Sequence, residues 1–388
     1  MPDTGAAREE ALRKFMISRI REGGAVPFSQ FMDWCLYHPR YGYYQAEGVK
    51  IGKEGDFYTA SCVHPLFGAM VAKQLCQMSQ LLGGETFTVL EIGGGRGFLC
   101  ADILAWAEEH DREFSRRLKY GILEGSPAFL REQQDRLARA GQAGKVFWLG
   151  PEELRGGGFS LEGCVLSNEL VDAFPVHRLV YRGGAWQEIY VGEAEGQFRE
   201  IEGRLSDPRL GAYFRDTGLT FAEGQQLEVN LQALDWLEEV GQCLARGFLL
   251  TVDYGYRAAE LYDPGRRNGT LRCYFRHQVS ATPYDRVGRQ DMTASVDFSA
   301  LIRKGEEIGL CCTGLVPQYR FLLALGLAEA ITAAQQGLSP VEGLKLRLSL
   351  KHLLEPEQGM GEVFKVLIQH KGMDRPELAG LRELRNCL

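Results

Sequence analysis

The chain has no Cys-X-X-Cys pair, no apolar run of membrane-spanning length, no basic block and no surplus of proline. Each absence removes a class. Ten cysteines at scattered spacings exclude a zinc ribbon and a secreted disulfide framework, and read as reduced thiols. The vicinal Cys311-Cys312 pair reads as buried strand filler. A membrane span needs roughly 18–20 consecutive apolar residues, so no span is expected. Asp3, Glu9 and Glu10, with no apolar h-region beside them, argue against a signal or transit peptide. A cytoplasmic location is the expectation. Lys+Arg 44 against Asp+Glu 51 gives a net charge of −7, a poor basis for neutralising duplex phosphates. No nucleic-acid partner is expected, whereas a basic or arginine-bearing substrate stays compatible. Apolar residues at 45% and charged residues at 24% exclude a disordered chain.

What stands in excess is glycine, 47 of 388 residues, or about 12% against a usual level of about 7%. With only 14 prolines and no Gly-X-Y period, the surplus implies tight turns and close backbone approach. Helical spacing covers residues 6–22, Ser29 reads as the cap of a short helix through Leu36, and Pro65–Leu82 reads as a third helix. Thereafter strands alternate with helices: Phe87–Ile92, Gly97–Glu109, Leu118–Leu123, Ala128–Ala140, Lys145–Trp148 and Gly163–Leu166. That alternation implies βαβ units and a parallel sheet. Val176–Tyr181 and Trp186–Val191 flank Gly183-Gly184 as a hairpin. Leu227–Leu244 reads as a helix, Gly247–Val252 as a fifth core strand and Tyr254–Thr293 as a long functional loop. Asp297–Ile308 and Tyr319–Gln335 read as helices, and Val363–His370 as a closing strand. The predicted organisation is an N-terminal helical cover (1–85) and a catalytic α/β domain (86–388) with insertions at about 176–225 and 254–295.

The strongest local signal is TVLEIGGGRGFL, from Thr88 to Leu99. A strand, an acid (Glu91), a loop with Gly93, Gly94, Gly95 and Gly97, and a helix follow in order. Glycines there let the backbone turn sharply and approach a ligand at the helix N-terminus. A dinucleotide fingerprint fails because Phe98 or Cys100 falls where its last glycine belongs. The observed spacing, E-x-G-x-G-x-G, is the pattern of S-adenosylmethionine-dependent methyltransferases. Glu124, the first residue after the second strand, sits where a carboxylate holds ribose hydroxyls. At the end of the fourth strand, Ser167-Asn168-Glu169-Leu170-Val171-Asp172 faces the reacting methyl, since ligands of open α/β sheets bind beyond the carboxyl ends of strands. Asn168 is assigned to the donor. A helical turn would put Glu169 and Asp172 on one face, a fit for a guanidinium, which is cationic and bound by planar forks of hydrogen bonds. Methyl transfer from a sulfonium needs no metal, and none is expected. Leu170 and Val171 replace the prolines of the N-P-P-Y turn used on nucleobase amines, which favours a protein or small-molecule acceptor.

These residues resemble the MidA-like S-adenosylmethionine-dependent methyltransferases, whose mitochondrial members are complex I assembly-factor protein arginine methyltransferases. The resemblance runs from about Pro27 to Lys371. It is carried by Phe28–Tyr44, GDFYT (Gly55–Thr59), PLFG (Pro65–Gly68), Val89–Gly97, SNELVDAFPVH (Ser167–His177), VDYGY (Val252–Tyr256), Gly269–His277 and Gly288–Leu301. It implies a class I methyltransferase fold with a Rossmann-like, mostly parallel seven-stranded sheet. It also implies donor binding at Glu91, Gly93, Gly95, Gly97 and Glu124, and arginine methylation assisted by Glu169 with Asp172 in support. The GDF-x-T segment resembles a cover that brings Asp56, Phe57 and Thr59 to the donor. Tyr254, His277 and Asp291 fall on the acceptor side, and a respiratory complex I subunit becomes a candidate acceptor. Ser61-Cys62 and Ser295 depart from the family pattern, which has Pro-Glu and His there. Two rival readings keep the donor: a methyltransferase for a small molecule, and an assembly chaperone whose chemistry has lapsed.

Overall fold

The computed structural model describes residues 4–45, 64–154, 158–354 and 361–383. The chain divides into two compact units, one of residues 1–57, 171–235 and 256–300, the other of 58–170, 236–255 and 301–388.

In the first unit, helix α1 (Thr4–Gly23) buries Leu12, Met16 and Ile20, spaced by four residues, which puts them on one face. Helix α2 (Phe28–Tyr37) buries Phe28, Phe31, Met32, Cys35 and Leu36. Both stripes share a core with Val176, Val191, Phe198, Cys273 and Met292. The residue before α2 is Pro27 and no side chain caps the helix. Ser29 is therefore not the cap. It lies within the first turn, with its hydroxyl 3.4 Å from Nδ1 of His177. The expected hairpin forms, His177–Arg182 pairing antiparallel with Ala185–Ala194 around Gly183 and Gly184 at φ 55° and 82°, as a type I′ turn requires. The stretch expected as one long loop instead holds short strands Arg272–Phe275, Gln278–Ser280 and Asp291–Thr293, paired as an antiparallel sheet.

In the second unit, helix α3 (Pro65–Leu82) precedes the strand–helix alternation. Strand β1 (Phe87–Ile92), helix α4 (Phe98–His110), β2 (Leu118–Leu123), helix α5 (Pro127–Arg139), β3 (Val146–Leu149) and β4 (Leu161–Asn168) follow in turn. Strands β5 (Leu244–Tyr256), β6 (Cys311–Pro317) and β7 (Phe364–Lys371) complete the seven-strand main path of the sheet. Its order is β6-β7-β5-β4-β1-β2-β3. Pairs β5–β4, β4–β1, β1–β2 and β2–β3 are parallel, and only β7 runs against its neighbours. The core of this unit joins Phe67, Val71, Leu75, Val89, Leu104, Tyr120, Cys164 and Phe248. Strand order reverses between β1 and β4, the crevice where doubly wound sheets take ligands. Cys311 is exposed and Cys312 half-buried on edge strand β6, so the pair is not buried filler.

Two glycines in this sheet are fixed by close approach. A Cβ on Gly163, at φ +153°, would fall 1.9 Å from the Thr88 carbonyl oxygen, and one on Gly247, at φ +138°, would fall 2.0 Å from that of Gly163. Gly163→Val is expected to destabilise the protein by at least about 3 kcal/mol, a backbone clash in a core strand, read as a lower urea midpoint. An unchanged midpoint would contradict this packing.

Candidate functional site

The register aligns the carboxyl ends of the central strands: Ile92 pairs with Leu123 and Ser167, and Asn168 with Val252. Gly93, Glu124, Glu169 and Asp253 each follow one of these residues by one position, along one edge of the sheet. The chain leaves β1 with the Gly93 amide donating to the Leu123 carbonyl at 2.9 Å. It then turns through Gly93, Gly95 and Gly97 at φ 71°, 51° and 74°, a region that side chains make costly. A Cβ on Gly93 would come within 2.8 Å of Leu170 Cδ1, and one on Gly97 within 3.2 Å of Gln133 Cγ. Gly97 caps α4 without a side-chain acceptor, so the helix presents first-turn N–H groups suited to an anionic group.

Glu124 closes the next strand. Its carboxylate accepts from the Ser126 amide at 2.8 Å and from Gln133 Nε2 at 3.0 Å. Burial pushes its pKa up to about 7, against the pull of those hydrogen bonds. Glu91, buried one residue before the end of β1, accepts from the Tyr120 hydroxyl at 2.9 Å. Burial raises it to about 7 as well, the Tyr120 bond opposing and Glu124 adding repulsion.

At the end of β4 the backbone does not make the helical turn expected for residues 169–172. Glu169 takes a left-handed φ of 53° and its amide donates to the Val252 carbonyl at 2.8 Å. A short 3₁₀ turn, Val171–Ala173, follows and carries Asp172. The shared helical face of Glu169 and Asp172 is thus absent, because the left-handed residue ends any helical spacing. Asn168 Nδ2 donates to Glu169 Oε1 at 3.2 Å, while Asn168 Oδ1 is buried without a partner among the described residues. The Leu170 amide donates to Asp253 Oδ2 at 3.2 Å, and the Tyr254 amide to Asp253 Oδ1 at 2.9 Å. Tyr254 lays its ring 5.7 Å from that of Phe364.

Asp172, His277 and Asp291 belong to the first unit. There Asp291 is buried, accepts from the Tyr44 hydroxyl at 2.8 Å, and with Asp172 raises the pKa of Tyr44, after burial itself. His277, at φ 61°, and Arg276, at φ 50°, form the exposed turn between strands Arg272–Phe275 and Gln278–Ser280. Asp56 and Thr59 lie outside the described residues.

Two residues order this edge without having been assigned a role: Gln133, which no motif marks, and Asp253, which lies inside the VDYGY motif. Gln133 is fully buried and shares the buried stripe of α5 with Phe129 and Leu137; a polar residue in an apolar stripe is the signal it leaves. Asp253, also fully buried, sits in a strand of apolar residues and leaves the same mark.

The residues fit an S-adenosyl-L-methionine donor: a backbone cradle that side chains would fill, a ready helix N-terminus, the Glu124 carboxylate at the end of the neighbouring strand and an Asn168 oxygen with no hydrogen-bond partner among the described residues. Among the described residues no His, Cys, Asp and Glu cluster could hold a metal ion. Fold and site define a class I methyltransferase that uses this donor. The family model of S-adenosyl-L-methionine-dependent methyltransferases matches residues 70–316, and the chain belongs to that family. It is similar to a crystallised Burkholderia thailandensis protein bound to S-adenosyl-homocysteine, at 30% identity and TM-score 0.88, covering 98% of this chain and 96% of that one. It is 28% identical to the Drosophila melanogaster protein arginine methyltransferase NDUFAF7 homolog, mitochondrial, over 94% of this chain and 85% of the relative. The mouse protein arginine methyltransferase NDUFAF7, mitochondrial, is 25% identical over 90% of this chain and 82% of its own length.

These relatives correct the cytoplasmic expectation, since they are mitochondrial by name. Reduced thiols do not specify a compartment, which is why that reasoning failed. Among the described residues no helix is long and apolar enough to cross a membrane.

The expectation that Glu124 accepts two ribose hydroxyls requires it to be ionised, and burial pushes its pKa up to about 7. Affinity for S-adenosyl-homocysteine, measured by calorimetry, is therefore expected to fall as pH drops through about 7 and to level off above it. Glu124→Gln should weaken binding and flatten the profile. A flat profile in the unsubstituted protein would contradict the assignment.

Proposed function

We propose that the methyl acceptor is an arginine guanidinium of a protein substrate. The observation that carries this reading is Glu169, fixed in a left-handed turn at the carboxyl end of β4 by the Val252 carbonyl. A left-handed non-glycine residue costs about 1 kcal/mol or more and persists where surrounding structure holds it. Here that turn stands at the end of β4, one of the two strands that flank the switch point of the sheet. The names of the fly and mouse relatives support the same acceptor class, and a respiratory complex I subunit is the candidate that the family resemblance supplies.

In this reading Gly93, Gly95, Gly97, Glu91, Glu124 and Asn168 hold the donor, with Asp56 and Thr59 assigned to it by resemblance. When bound, S-adenosyl-L-methionine supplies a methyl group already activated on a sulfonium. Glu169 accepts N–H bonds from the guanidinium and draws its positive charge away from the nitrogen that forms the new C–N bond. The proton shed by that nitrogen passes to the carboxylate or to water. Asp172 supports the acceptor, and Tyr254, His277 and Asp291 belong to its side. The helical cover at 1–85 and the insertions at about 176–225 and 254–295 are part of this proposal.

Glu169→Gln is expected to lower transfer of labelled methyl groups into host-lysate protein by roughly 100-fold or more, the scale of a lost charged catalytic group. Its affinity for S-adenosyl-homocysteine should stay within about twofold, since the substitution spares the donor. Hydrolysis of the labelled protein should release methylarginine. Undiminished labelling, or label on another residue type, would overturn the acceptor assignment.

A further inference from the structure

We infer that Gln133 is the positioning residue of the donor site: one buried amide that locks the glycine loop and the ribose carboxylate into a single arrangement. Its Nε2 donates to the Gly95 carbonyl at 2.8 Å and to Glu124 Oε2 at 3.0 Å, and its Oε1 accepts from Trp148 Nε1 at 3.1 Å. The indole can only donate, and the carbonyl and carboxylate only accept, so the three bonds admit one orientation of the amide. The side chain also fills the space behind the loop. A Cβ on Gly94 would come within 3.4 Å of its Nε2, and one on Gly97 within 3.4 Å of its Cα.

Neighbours on α5 grip the same loop. Glu132 pairs with Arg96 at 2.7 Å. Arg136 Nε donates to the Arg96 carbonyl at 2.9 Å, with its guanidinium 3.6 Å from the centre of the Phe98 ring. Helix α5 thus holds the loop at several points, and Gln133 is the α5 side chain that ties it to the carboxylate, beside the bond that the Gly95 amide itself makes to Glu124. An apolar side chain of similar volume would keep the packing and remove the link. It would also take a donor from Glu124 and make its ionisation harder, which ties a positioning effect to the pH dependence of binding.

This inference rests on the donor site described above, and calorimetry of S-adenosyl-homocysteine binding to the full chain separates the two. Gln133→Leu is expected to weaken binding at pH 8 roughly tenfold or more, as for a lost hydrogen bond to a charged group. It should also move the midpoint of the pH profile upward. Gln133→Glu should weaken binding further, by setting a second carboxylate against Glu124. Trp148→Phe, which spares the amide but removes its orienting donor, should give a smaller loss with the same direction of midpoint shift. Thermal melting checks that each variant is folded, and Trp148→Phe carries the test if Gln133→Leu is not. Absence of binding in the unsubstituted protein would remove the donor site itself. Native binding with both affinity and midpoint unmoved in folded Gln133→Leu and Trp148→Phe would overturn the role of Gln133 alone.

Discussion

The donor edge depends on keeping a carboxylate partly out of water and still useful. Glu124 stands at the end of β2, and burial opposes its charge while the Ser126 amide and the Gln133 side chain favour it. That balance leaves the group near pH 7, able to ionise when hydroxyl donors arrive and inexpensive to carry neutral when they do not. Glu91, on the neighbouring strand, has its own pKa near 7 for the same reason. Repulsion from Glu124 also disfavours the charged form of Glu91, and the Tyr120 hydroxyl opposes it.

From that edge the structure reads outward through backbone geometry. The glycine loop takes left-handed angles, and Leu170 and Gln133 occupy the space that side chains on Gly93 and Gly97 would need. Leu170 in turn is fixed by Asp253, whose carboxylate holds the amides of Leu170 and Tyr254. The turn that directs Glu169 and the wall of the donor cradle are therefore consecutive residues.

Much of this was legible in the sequence, and the exceptions have physical causes. Strands 87–92 and 118–123 and helix 65–82 coincide with the expected spans because each is a long apolar segment ended by glycine or a charged residue. The expected helix over 227–244 begins instead at Leu231, after a strand at Gln226–Val229. Alternation of Leu227 and Val229, then Asn230 accepting from the Ala233 amide at 2.9 Å, marks that boundary. The helix expected over 319–335 is broken by Gly326 at φ +91°. The three short strands between residues 272 and 293 were invisible because runs of three or four residues show no period, and Arg272 pairs with Thr293 far along the chain. At the site, motif spacing located the loop and Glu124, whereas Gln133 fell in no motif and Asp253 stood in VDYGY without an assigned role. Each is a polar residue among apolar neighbours, and the structure shows which partners that polarity serves.

The central claim is that one donor site is built on the carboxyl edge of the second unit. Amide hydrogen exchange read by mass spectrometry, with and without saturating S-adenosyl-homocysteine, tests it most directly. Added protection is expected at Gly93–Leu99, at Glu124–Gln133 and at Asn168–Val171. Protection confined to other segments, or no change on saturation, would contradict the account.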